Sequence, residues 1–119
     1  MKKVLAVDVD GVLAKLNPNA GVEIGEIIDG ALETLAKFKE AGWYIILYTT
    51  RPDEHTLRKW CNENFPGIFD AINCNPLDVM KYGIVAAKPY ADLYLDDRAW
   101  PNNGIFNWNK LNEDLKNIL

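Results

Sequence analysis

The run Val4-Leu5-Ala6-Val7-Asp8-Val9-Asp10-Gly11-Val12-Leu13 constrains the fold more than any other part of the chain. Residues 3–9 are too continuously apolar to leave one side of a strand in water, so both faces of that strand are expected to be covered by other elements. Within the Val4 to Leu13 run two carboxylates stand two residues apart. Side chains at i and i+2 of a strand point the same way, so Asp8 and Asp10 are expected to converge at its carboxyl end, where Gly11 lets the backbone turn. Carboxylates held that close repel, and the usual remedies are a shared proton or a bound cation. Either points to a reactive site more than to a scaffold.

The rest of the chain alternates in type. Residues 3–9 and 43–48 read as buried strands, and between them Ile28, Ala31, Leu32, Leu35 and Phe38 recur at helical spacing, with Asp29 near the start and Gly42 past the end. Pro52, Asp53 and Glu54 suit the opening of a second helix whose inner face is Leu57, Trp60 and Cys61. Ile68 to Ile72 reads as a third short strand, and Ile84-Val85-Ala86 as either a short strand or a buried loop. Ala91 to Leu95 reads as a fourth strand, and Ile105-Phe106 as a last edge strand. Leu111, Leu115, Ile118 and Leu119 mark a closing amphipathic helix. Parallel strands joined by right-handed helical crossovers are implied, and hence an α/β fold: a three-layer α/β/α sandwich around a central parallel sheet.

At 119 residues, residues 1–119 are expected to form a single domain. In open sheets of this kind ligands bind beyond the carboxyl ends of the strands. Three strands end there in polar residues: Asp8 and Asp10, then Thr49-Thr50-Arg51, then Asp96-Asp97. Residues 14–27, with Asn17-Pro18-Asn19 and Gly21, read as a loop or short flap over that edge, and with 98–108 they are the candidates for selecting what binds there.

Thirteen Lys and Arg against seventeen Asp and Glu give a formal charge of −4, so no broad basic surface is expected and a non-specific nucleic-acid binder is disfavoured. Cys61 and Cys74 form neither a metal-type pair nor a disulfide framework and read as buried free thiols. Asp8 spoils the amino-terminal apolar run as a signal-peptide core, and no segment approaches the roughly 20 apolar residues of a membrane span. A cytoplasmic protein is expected. His55, the single histidine, falls in the first turn of a helix and reads as a surface residue, while Trp43, Trp60, Trp100 and Trp108 read mainly as packing residues. Trp100, just past Asp96-Asp97-Arg98, is also placed to border a substrate mouth.

With these strand ends in order, the chain resembles the haloacid dehalogenase-like (HAD) superfamily over nearly its whole length. Asp8-Val9-Asp10-Gly11-Val12-Leu13 resembles the first motif and Thr49 the second. Lys88 in Ala87-Lys88-Pro89-Tyr90 resembles the third, and Asp96-Asp97 the acidic fourth. The resemblance implies a Rossmann-like hydrolase with a minimal cap or none, and a Mg²⁺-dependent phosphatase acting on phosphomonoesters. Asp8 would be the nucleophile that forms an aspartyl-phosphate and also a metal ligand. Asp10 would be general acid and base, its main-chain carbonyl on the metal. Thr49 and Lys88 would stabilise the phosphoryl group, Thr50 and Arg51 would bind substrate, and one or both of Asp96 and Asp97 would hold Mg²⁺. Arg51 has a second reading, as an ion-pair partner of Asp53, Glu54 or another helix carboxylate. The implied partner is a phosphorylated small molecule or the phosphorylated end of a larger substrate, with a homo-oligomer possible as cover for an open site. Thr49-Thr50-Arg51 with Asp96-Asp97-Arg98 is similar to nucleic-acid 3′-end phosphatases, so a nucleotide or nucleic-acid 3′-end phosphatase is the alternative. A non-catalytic phosphate- or metal-binding module on the same fold is the reading from another class.

Overall fold

Four short parallel strands form one sheet in the order β3-β2-β1-β4, with the acidic strand second from the edge. The structure is a computed structural model and describes residues 2–16, 23–83, 85–100, 102 and 104–119. Along the chain the elements are β1 (Val4–Val7), α1 (Ala31–Glu40), β2 (Tyr44–Leu47), α2 (Glu54–Asn64), β3 (Ala71–Ile72), α3 (Pro76–Tyr82), β4 (Leu93–Leu95) and α4 (Trp108–Ile118). The fold is α/β, four helices about a parallel sheet, and is compatible with a Rossmann-like arrangement.

Register decides which side chains meet. β1 pairs with β2 as Val7↔Leu47 and with β4 as Ala6↔Tyr94 and Val7↔Leu95. Alternate residues therefore divide between two faces. Leu5, Val7, Ile45, Leu47, Ile72 and Leu95 join the larger core cluster with Ala31, Leu35 and Phe38 of α1, Leu57 and Cys61 of α2, and Trp108, Leu111 and Leu115 of α4. Val4, Ala6, Ile46 and Ala71 form a smaller cluster with Ala91, against which Tyr44, Tyr48, Cys74 and Tyr94 pack.

The helix caps explain where the elements begin. Asp53, Asn75 and Asn107 each accept backbone N–H groups of the first turn of α2, α3 and α4, satisfying donors that have no partner inside the helix. α1 instead starts after Gly30 at φ 90°, a left-handed conformation suited to glycine. Ile28 therefore precedes the helix rather than opening it.

One helix lies where the sequence pattern carries no expectation, and two expectations are corrected. α3 buries no residue, and its Asn75-Pro76 start and Gly83 stop mark it instead. Ile105-Phe106 is not an edge strand: the preceding residues turn, with the Ile105 N–H on the Asn102 carbonyl, and Ile105 is exposed. Val85-Ala86 is exposed loop rather than strand or buried loop, and Ile84 lies outside the described residues, as do Asn17-Pro18-Asn19 and Gly21 of the 14–27 segment. The flanks of that segment run antiparallel, the Lys15 N–H bonding the Glu26 carbonyl and the Ile28 N–H the Leu13 carbonyl. Cys61 is buried, Cys74 is half-buried, and both are free. Trp43 and Trp108 are buried, but Trp100 is 94% exposed and packs on nothing that would hide it. No helix among the described residues is long and apolar enough to cross a membrane.

Candidate active site at the carboxyl edge of the sheet

The turn after β1 is braced from beneath. Val9, Val12 and Leu13 are fully buried, and the Val9 carbonyl accepts the N–H groups of Val12, Leu13 and Ala14. The Trp108 indole N–H, reaching across from α4, bonds the Val12 carbonyl at 2.7 Å. Asp8 and Asp10 thus project from backbone that the core and a second element fix in place.

Asp8, Asp96 and Asp97 each offer a carboxylate oxygen within 4.8 Å of the others. Strand pairing produces this, since the Asp8 N–H bonds the Leu95 carbonyl at 3.0 Å and brings the ends of β1 and β4 level. One Asp8 oxygen accepts the Val9 N–H at 2.8 Å. Burial pushes the Asp8 carboxyl up to about 7, the Val9 hydrogen bond opposing, with the charges of Asp96, Asp97 and Asp10 adding to the rise. Asp97 is also raised, chiefly by burial and then by Asp96.

Asp97 is the most constrained of the three. It is 2% exposed, and its Oδ2 has no hydrogen-bond partner among the described residues. The nearest cation, Arg98 Nε, stands 3.7 Å away, too far for a hydrogen bond. A buried carboxylate oxygen left short in this way costs free energy unless something else satisfies it. Gly11 makes the close approach of Asp97 possible. Its φ is +84°, and a β-carbon there would meet Asp97 Cγ at 2.6 Å. Three carboxylates whose oxygens converge, one of them carrying an otherwise unsatisfied oxygen, could hold a metal ion.

The opposite edge of the sheet shows that carboxylates need not be left short. There Asp70 accepts the Ile45 N–H at 2.8 Å and Asp92 accepts the Val4 N–H at 2.7 Å, each completing a strand's ladder.

Asp10, Thr49 and Thr50 line the same cleft of about 550 Å³ with Asp8, Asp96, Asp97, Leu16, Tyr48 and Arg98. The Asp10 carboxylate is not one of the converging trio. Arg51 grips it with Nε on Oδ2 at 2.7 Å and Nη2 on Oδ1 at 2.8 Å, and Nη2 also reaches the Glu23 carbonyl at 3.1 Å. Asp10 holds Arg51 in its charged form, mainly through that hydrogen bond. Of the carboxylates weighed for Arg51, Asp53 caps α2 and Glu54 pairs with Arg58. Thr49 Oγ1 accepts the Arg51 N–H at 3.2 Å, which leaves its own hydroxyl proton for another acceptor.

Lys88 is exposed and is not among the residues lining the cleft; its Nζ lies 4.7 Å from the centroid of the Tyr94 ring. His55 is exposed on α2, and Trp100 likewise does not line the cleft.

Two residues at this edge escape a reading by motif. Asn73, the described non-glycine residue with positive φ, at 53°, accepts the Thr49 N–H through Oδ1 at 2.8 Å. An asparagine just past a short strand is the signal that could have found it. Tyr48 reaches the cleft only through the alternation of β2, and nothing in its own sequence context marks it.

No protein-family model matches the chain, and no curated protein does. Over 100% of its length the chain is similar to a solved structure, described as the conserved protein coded by locus from Bacteroides thetaiotaomicron, covering 93% of that chain with 29% sequence identity and a TM-score of 0.77.

Proposed function

We propose that the protein is a Mg²⁺-dependent phosphomonoester hydrolase of the HAD type, built as a three-layer α/β/α sandwich with a minimal cap, and that it works through an aspartyl-phosphate on Asp8. The observation that carries this reading is the cluster of Asp8, Asp96 and Asp97, with one buried Asp97 oxygen unsatisfied, at the strand ends where Asp10 and Thr49 also stand.

Asp8, Asp96 and Asp97 would hold the cation, whose all-oxygen donor set suits a hard ion such as Mg²⁺. Bound there, it would offset the carboxylate charge that otherwise repels a phosphate dianion. Asp8 attacks phosphorus, the bond from phosphorus to the leaving oxygen breaks, and Asp10 supplies the proton that oxygen needs. Asp10 then takes a proton from the water that attacks the aspartyl-phosphate, which releases inorganic phosphate and restores the Asp8 carboxylate. The Thr49 hydroxyl donates to a phosphoryl oxygen, and Lys88, which stands outside the cleft lining, would swing in to offset charge on the same group. The Arg51 fork takes one lone pair from each Asp10 oxygen and sets the plane of the carboxylate, leaving the other lone pairs for proton transfer.

The test is release of inorganic phosphate from nucleotides, sugar phosphates and 3′-phosphorylated oligonucleotides, with Mg²⁺ and with chelator, by wild type and Asp8→Asn. Metal-dependent release by wild type alone is expected. Equal release by both would remove Asp8 from the chemistry, and no release from any class would overturn the reading.

A further inference from the structure

Lys88 stands outside the cleft lining, yet one side chain holds both it and the loop that carries it. The Tyr94 hydroxyl donates to the Pro89 carbonyl at 2.6 Å and accepts the Ala91 N–H at 3.0 Å, spanning the residues that follow Lys88. The Lys88 ammonium lies 4.7 Å from the centroid of the same ring, a distance at which a cation is attracted to the π face.

The position of that ring follows from the register. Tyr94 is paired with Ala6 across β1 and β4, and the small Ala6 side chain leaves the ring room on that face. Asp8 follows Ala6 by two residues and Asp96 follows Tyr94 by two, so both carboxylates rise from the same face one strand repeat, about 7 Å, further on. Tyr48 lies edge-on to Tyr94 with ring centroids 6.3 Å apart, and Tyr48 also lines the cleft. Lys88 is therefore held on the ring of a residue that starts one repeat before Asp96, and its flexible four-carbon stem leaves the ammonium free to swing from that ring.

We propose that Tyr94 is the positioning residue for Lys88, its hydroxyl fixing the Pro89-Tyr90-Ala91 loop and its ring holding the ammonium on the sheet face from which Asp8 and Asp96 rise. The catalytic part of this proposal rests on the phosphatase reading.

Two measurements separate the proposal from that reading. The first, trace acetylation read by mass spectrometry, needs no activity. Tyr94→Leu should raise the reactivity of Lys88 relative to the exposed Lys59 by about threefold or more, as expected for losing a surface cation–π contact. Tyr94→Phe, which keeps the ring and its packing, should raise it less. Unchanged Lys88 reactivity in both variants would overturn the proposal.

The second is a double-mutant cycle on phosphate release. Tyr94→Leu should lower kcat about tenfold in the wild-type background and by less than about twofold in Lys88→Ala, because coupled residues do not add. An equal loss in both backgrounds would mean that Tyr94 only supports the fold and would overturn the proposal. If Lys88 reactivity responds while wild type releases no phosphate from any substrate, the phosphatase reading fails and the hold of Tyr94 on Lys88 stands. Should Tyr94→Leu fail to fold, Tyr94→Phe carries both measurements, with an expected loss of about threefold from the two missing hydroxyl bonds.

Discussion

Arg51 closes on both oxygens of Asp10 at 2.7 and 2.8 Å, and so ties the end of β2 to the turn after β1. The fork needs a planar guanidinium, which lysine cannot imitate. Arg51→Lys should therefore keep the charge and lose the alignment of Asp10. A fall in kcat of about 10- to 100-fold is expected, the scale of a misplacement near 1 Å. The loss should be largest for substrates with poor leaving groups, where proton donation matters most, and a series of aryl and alkyl phosphates would measure it.

Gly11 admits the Asp97 carboxylate and sits at φ +84°. Gly11→Ala should cost about 1–2 kcal/mol from the left-handed backbone alone, and more from the collision with Asp97. Urea denaturation measures the stability, and calorimetric titration with Mg²⁺ should show weaker binding than in wild type.

Burial holds the Asp8 carboxyl at about 7, against an ordinary value of 3.8. The folded state therefore binds more protons than the unfolded chain across that interval, so metal-free stability should fall as pH rises from about 4 to 7 and level off above. Asp97, raised by the same cause, adds to the trend. Added Mg²⁺ should restore melting temperature more at pH 8 than at pH 5. Asp8→Asn should flatten the pH dependence, and a wild-type melting temperature that climbs over the interval would contradict this account.

Asn73 combines a positive φ of 53° with a hydrogen bond from the Thr49 N–H. Asn73→Gly keeps the backbone conformation and loses the bond, whereas Asn73→Ala loses both. About 1 kcal/mol is expected for the bond, with a further 1 kcal/mol or so for alanine in that conformation. Both variants should raise KM for phosphate esters, because Thr49 is freed in each.

The parts of the fold legible in the sequence are those whose pattern reports burial. Val4 to Val7, Tyr44 to Leu47 and the stripes of α1, α2 and α4 join the core clusters, except for Leu32 and Leu119, which are exposed. α3 has no buried residue and so leaves no periodic trace, while Ile105 and Phe106 are apolar without sheet partners. At the site, strand ends are local, and the meeting of Asp8 with Asp96 and Asp97 could be anticipated from them. The pairing of Asp10 with Arg51 and the stacking of Lys88 on Tyr94 depend on register and on loop paths, which no single stretch of sequence encodes.

Among the described residues the rim of the cleft is thin, for Leu16 is 51% exposed and the Arg98 side chain 76% exposed. If the protein is the phosphatase proposed above, a leaving group seated there keeps much of its own water, so affinity must come mostly from the phosphoryl oxygens. Inorganic phosphate retains those oxygens after the ester is gone. An enzyme of this shape should thus be throttled by its own product, with phosphate competing at concentrations comparable to KM, and its turnover in a phosphate-rich medium would be set by how quickly that anion leaves.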